Sequence, residues 1–164
     1  MALDAGTTVV EVAHLLPSGM LVVTPSVPVL TVCAERGDLD VIGLGGSYQH
    51  ASRSFAGPET RTAIRHLAVD VSLLSAVAVG EGGLYCTSPL DGEVKRLLIE
   101  VGRTAVLLVD HTKITASAPL RFAGWDRIAA VVTDAGADAA DLAWLRTVVS
   151  RVVVAPLRDQ LVAG

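Results

Sequence analysis

"LDAGTT", Leu3 to Thr8, is the first stretch whose residue types could do chemistry, and it runs directly into the apolar-periodic "VVEVAHLL". Gly6 lets the backbone come close to a ligand. A helix entered at Thr7 or Thr8 presents unpaired N–H groups and the positive end of its dipole, and two hydroxyls add donors. A phosphate-gripping turn needs these parts, although turns of this composition also cap helices for purely structural reasons. A second element stands far along the chain in "DHTK", Asp110 to Lys113. Lys113 offers a mobile cation that would complete a dianion site; a lone lysine in such a place also serves as a solvated surface residue.

Short, near-continuous apolar runs supply a frame for these residues: Met20 to Pro25, Leu39 to Leu44, Val71 to Val79, Thr104 to Asp110, Ile128 to Asp134 and Arg151 to Ala155. Such runs suit strands buried on both faces, as parallel sheets require. Helical periodicities lie between them. Val9, Val12, Ala13 and Leu16 share one face with Glu11 and His14 turned outward, and Val94, Leu97, Leu98 and Val101 repeat the spacing. Ser88 is placed as the N-cap of the latter helix, with Pro89 at its first position and Asp91 at its third. Further helices are predicted over Pro58 to Leu67 and Asp138 to Val149. The expected fold is α/β: a Rossmann-like, doubly wound, mainly parallel sheet of about six strands flanked by helices.

In an open α/β sheet ligands bind beyond the carboxyl ends of the strands. Those ends here carry Asp4, Gly6, Thr7 and Thr8; Thr24 and Ser26; Gly45 and Gly46; the "GEGG" of Gly80 to Gly83; Asp110 to Lys113; and Thr133 with Asp134. Nearly every one is small, hydroxylic or charged. The strand feeding the first turn has only Met1 to Leu3, so the start reads as clipped, and the tail from Pro156 to Gly164 reads as a short helix or a frayed end.

Bulk properties narrow the function further. The chain has 164 residues, enough for one domain, with 51% hydrophobic residues and few aromatics, so Val, Leu, Ile and Ala build the core. That apolar excess points to a generous core or to a face covered by a partner subunit, and a homodimer or tetramer is expected. No run approaches the roughly 18 consecutive apolar residues of a membrane span, and no signal peptide is visible, so a cytoplasmic protein is expected. Cys33 and Cys86 fit no metal or redox spacing. A net charge of −4 argues against this chain gripping DNA phosphates by itself.

Taken in order, "LDAGTT", "VVTPS", "GLGG", "FAGPE", "VSLLSAVAV", "GGLYCTSPLDGEVKR", "VLLVDHTK" and "AAVVTD" resemble the C-terminal effector-sensing domain of DeoR-type transcriptional regulators of sugar metabolism. The resemblance covers about Leu3 to Asp134. It implies a fold similar to ribose-5-phosphate isomerase and glucosamine-6-phosphate deaminase. It also implies a non-enzymatic pocket for a phosphorylated sugar or polyol, with no cofactor and no metal. The whole chain, 1–164, would be that sensor, relaying effector binding to a winged helix-turn-helix that precedes it. No such segment precedes residue 3 here, so DNA would be reached only through a domain not in this sequence. By the resemblance, Asp4, Gly6, Thr7 and Thr8 match the phosphosugar loop, Thr24 and Ser26 the second loop, and Gly45 and Gly46 the third. Glu93 and Lys95 match the helix-opening motif, and Asp110 and Lys113 the late strand-end pair. Thr7, Thr8 and Lys113 are assigned to phosphate, Asp4 and Asp110 to sugar hydroxyls. The sequence departs from the family pattern at Pro25, where Asn is usual, and at Gln49 and His50, where an Arg commonly stands; the nearest Arg is Arg53.

Competing readings remain. Actin-like sugar kinases and chaperone ATPases share the "DxGTT" letters, but there the turn joins two strands of a hairpin in a far longer chain, which excludes them. Asp91, Glu93 and Lys95 could form the acid–base cluster of a small phosphosugar isomerase. Against that, Asp91 suits a helix N-terminus, and Glu93 and Lys95, two apart, cannot share one helical face. A pocket that binds nothing, leaving an oligomerisation scaffold, is the other alternative. The four histidines lack metal-ligand spacing, "GLGGS" is a weak dinucleotide signal, and Trp125 and Trp144 read as packing residues.

Overall fold

The computed structural model describes residues 1–156; the expectation for the tail lies, apart from Pro156, outside the described residues. The chain runs β1 (Ala2–Leu3), α1 (Thr7–Leu15), β2 (Leu21–Thr24), α2 (Val27–Arg36), β3 (Asp40–Gly43), β4 (Ser47–Gln49), β5 (Ser54–Ala56) and α3 (Pro58–Arg65). It continues with β6 (Val69–Ser75), β7 (Ala78–Gly80), β8 (Gly83–Cys86), α4 (Pro89–Val101), β9 (Gly102–Leu108), β10 (Leu120–Ala123), β11 (Ala130–Asp134), α5 (Ala139–Val148) and β12 (Val152–Ala155).

Seven strands form one parallel sheet in the order β12-β11-β9-β6-β1-β2-β3. The order runs outward in both directions from β1 and β6, which puts the switch point of this doubly wound fold between those two strands. Apolar residues alternate across the sheet into two cores. Leu3, Val22 and Leu108 pack with Val9 and Ala13 of α1 and Val29 and Cys33 of α2. Ala2, Val23 and Leu107 pack with Ile64 of α3, Leu98 of α4 and Leu145 of α5. The α4 start is as the sequence predicts: Ser88 Oγ accepts from the Asp91 amide, and Pro89 opens the helix. Trp125 and Trp144 pack edge to face, 5.7 Å between centroids.

Four features differ from the sequence reading. The run Val71 to Val79 is two strands, since β6 ends at Ser75 and β7 leaves for a small antiparallel sheet with β8 and β10. "GEGG" is therefore the β7–β8 hairpin turn, not an end of the main sheet. Helix α2 was not predicted: its opening "VPVLTVC" is β-branched and looks like more strand, yet Ser26 caps it and Pro28 lies in its first turn. Strands β3 and β12 are edges with exposed residues rather than doubly buried. Finally, β4 and β5 form a hairpin whose base is bonded to the start of α2: Val27 N donates to Arg53 O, Phe55 N donates to Pro25 O, and Ser26 bridges Ser54. Among the described residues no helix is long and apolar enough to cross a membrane.

Candidate functional site

At the carboxyl ends of β1 and β6 lies a cavity of about 530 Å³. The turn after β1 supplies Gly6, Thr7 and Thr8 to its wall, β6 supplies Ser75, and the segment after β9 supplies Asp110 and Lys113. Ser26 at the α2 cap, Glu11 of α1, Asp91 and Lys95 of α4, and Gln49, Ala51, Ser52 and Arg53 on the β4–β5 hairpin also line it.

The first turn keeps its donors available. Gly6 is the N-cap of α1 and, among the described residues, no side chain caps the helix start, whereas Ser26, Ser88 and Asp138 each cap their own helices. Gly6 is extended, and a Cβ there would meet Ser75 Cβ and Oγ at 2.6 Å, so the residue must be glycine for the turn to lie against β6. Lys113 reaches the same cavity from a short helical turn, His111–Lys113, capped by Asp110, whose Oδ1 accepts from both the Thr112 amide and its hydroxyl. The turn is braced from behind by Asp134: its carboxylate accepts from the His111 amide at 2.9 Å, from the Gly136 amide at 2.7 Å, and pairs with His111 Nδ1 at 2.8 Å. Burial works against that carboxylate's charge, but these hydrogen bonds prevail and hold it below its ordinary range. Neither the Lys113 ammonium nor the Arg53 guanidinium has a side-chain partner among the described residues. Asp110, His111 and Asp134 lie close enough together to share a cation, but the bracing of the turn already accounts for their proximity.

Lys95 is different in kind. Its ammonium is buried and contacts three acceptors: Asp4 Oδ2, Ser75 Oγ at 3.1 Å and Asp91 Oδ1 at 3.5 Å. Burial alone would push it down, but the Asp4 and Asp91 carboxylates more than offset this and hold it above its ordinary value. The contacts to Asp4 and Ser75 are hydrogen bonds, and the one to Asp91 is an ion pair. Asp4 is fully buried beneath the cavity wall, with Oδ2 also accepting from the Ser75 amide at 2.9 Å. Burial pushes Asp91 up to about 6, against the pull of the Lys95 ammonium.

The structure thus brings Gly6, Thr7, Thr8, Ser26, Lys95, Asp110 and Lys113 to one cavity. The others lie elsewhere. Thr24 is buried, its hydroxyl donating to Leu3 O at 2.7 Å and accepting from the Ser26 amide. Gly45 O accepts from the Thr60 hydroxyl, and a Cβ on Gly46 would strike that same side chain, so the double glycine seats α3. Glu93 pairs with Arg61 at 2.9 Å, tying α4 to α3. Sequence reasoning did not single out Ser75, Arg53 or Asp91 as cavity residues. Asp91 was within reach: it stands four residues before Lys95 on one helical face, the spacing at which side chains meet.

Known proteins carry the same pattern. The family model described as the DeoR C-terminal sensor domain matches residues 1–135. The chain is 33% identical over 138 residues to the transcriptional repressor AccR of Agrobacterium fabrum, which covers 82% of this chain and 54% of that protein. It is 29% identical over 133 residues to the HTH-type transcriptional repressor GlcR of Bacillus subtilis, covering 80% of this chain and 52% of the relative. The L-fucose operon activator of Escherichia coli is 24% identical over 136 residues, 82% of this chain and 56% of the activator. The chain therefore spans about half the length of the curated relatives it matches. With the family model running from β1 through the Asp134 brace, and the relatives being regulators of transcription, the chain belongs to the DeoR C-terminal sensor domain family of transcriptional regulators.

Proposed function

We propose that this chain is the effector-sensing part of a cytoplasmic DeoR-type regulator of carbohydrate metabolism, and that its cavity holds a phosphorylated sugar or polyol without transforming it. The observation that carries the reading is the meeting, in one cavity, of the glycine-started α1 with Lys113, whose ammonium has no side-chain partner among the described residues. A phosphate placed there takes the Thr7 and Thr8 amides and hydroxyls and the helix dipole on one side and the ammonium on the other. The cavity is of ordinary size for a small ligand. A relative named for a sugar operon, the L-fucose operon activator, supports a carbohydrate effector. Effector binding would bias subunit arrangement and so operator binding by a helix-turn-helix region of the longer protein. Exposed Leu15, Leu21 and Ile42 support a homo-oligomer.

Calorimetric titration with pentose and hexose monophosphates, inorganic phosphate and unphosphorylated sugars tests this. Phosphosugars should bind and be recovered unchanged, the free sugars should not bind, and Lys113→Ala should weaken binding about tenfold or more, the contribution of a charge-assisted hydrogen bond. No heat with any phosphosugar would overturn the reading, and so would turnover of one.

A further inference from the structure

A phosphate site alone does not distinguish a phosphosugar from inorganic phosphate; some other group must read the hydroxyls. The acidic residues in and beneath the cavity wall are not equivalent for that task. Glu11 lines the cavity from α1 and already has an interaction of its own. Asp4 has one oxygen engaged by Lys95 and Ser75, and its Oδ1, though without a partner, is sealed from the cavity. Asp110 spends Oδ1 on capping its own turn. Asp91 is placed differently. Its backbone is fixed by the Ser88 cap, Lys95 one turn along the same face holds Oδ1, and the side chain lines the cavity while only 15% exposed. No other hydrogen-bond partner for its carboxylate occurs among the described residues. A carboxylate oriented by a buried ammonium, shielded from water and facing a cavity is built to accept a donor that the protein itself does not provide.

That donor cannot be phosphate, which a carboxylate repels at neutral pH. It can be a hydroxyl. We propose that Asp91, oriented by Lys95, is the specificity-determining residue of the cavity, accepting a hydrogen bond from a hydroxyl of the ligand and so selecting a polyhydroxylated phosphate over bare phosphate. The inference rests on the phosphosugar reading above. Lys95 acts here as a positioning residue: its ammonium is buried, hydrogen-bonded to Asp4 and Ser75, and paired with Asp91. A site built to bond a hydroxyl rejects the analogue lacking it, since its own acceptor is then left dry.

The experiment compares inorganic phosphate with the tightest-binding hexose or pentose monophosphate of the panel, on wild type and on Asp91→Ala, which leaves no polar group at that position. Wild type should favour the phosphosugar by about tenfold or more; in Asp91→Ala the ratio should fall towards one, the lost negative charge favouring the phosphate of either ligand alike so that the ratio reads the hydroxyl. Deoxy analogues of the same phosphosugar provide a second arm needing no variant. One hydroxyl deletion should cost wild type about tenfold, and Asp91→Ala, where folded, should be indifferent to that deletion. An unchanged ratio in Asp91→Ala, or a wild type indifferent to every deletion, overturns the inference and leaves the phosphate site standing. Wild type binding neither phosphate nor any phosphosugar overturns both.

Discussion

Lys95 and Lys113 line the same cavity, one from the second turn of α4 and the other from the short turn after β9. Lys95 is sealed among Asp4, Ser75 and Asp91, and its charge is consumed by the protein. Lys113 is only partly buried and has no side-chain partner among the described residues. The same residue type thus performs two tasks that sequence alone does not separate. A buried cation held among the protein's own acceptors holds the walls together; one with no side-chain partner among the described residues can serve a ligand.

The largest effect should come from removing the buried cation. Lys95→Met strands Asp4 as an uncompensated buried charge and should cost about 3–5 kcal/mol in urea unfolding, whereas Lys113→Met should stay within about 0.5 kcal/mol of wild type. Adding Asp4→Asn to Lys95→Met should recover much of the loss, because a neutral pair no longer carries that penalty. Equal costs for the two lysines would break the comparison.

Asp91 sharpens it through pH. Its carboxyl is raised from 3.8 to about 6 in the folded chain, so between those values the folded state binds more protons than the unfolded one. Stability from this group must therefore fall as pH rises from about 4 to 6 and level off above, by no more than about 3 kcal/mol. In Asp91→Asn that decline should vanish, leaving the variant more stable than wild type at pH 7 and close to it at pH 4. Denaturant midpoints across that range check the sign.

A third, smaller change acts where the two regions touch. Gly6→Ala drives a Cβ to within 2.6 Å of Ser75, the residue that joins the β1–α1 turn to the Lys95 cluster. Overpacking of that kind should cost about 1–3 kcal/mol. Ligand titration should show weakened binding even where the variant remains folded, since the α1 amides move with the turn.

The alternation of strands and helices was legible because each core strand is an apolar run and α4 carries its own start signals. The break between β6 and β7 was not, because Ala76 and Val77 are as apolar as the strand they interrupt. Gly6, Thr7, Thr8 and Lys113 could be named from the sequence because strand-end position and residue chemistry coincide. The burial of Asp4 could not, because its cation lies 91 residues away and only the folded sheet juxtaposes them. Asp91 was read as a helix-start acid, which it is, and that local explanation hid its second role beside Lys95.

The β4–β5 hairpin leans on the beginning of α2 through main-chain bonds. A seam made of backbone is largely indifferent to which side chains it carries. Of the four positions it presents to the cavity, Gln49, Ala51, Ser52 and Arg53, none makes a side-chain hydrogen bond to α2 among the described residues. Their side chains can therefore change without unpicking that seam, Arg53 within the limits of its positive φ. The frame works as a socket with a replaceable faceplate, and a descendant of this protein could change what it answers to by editing four residues of one wall.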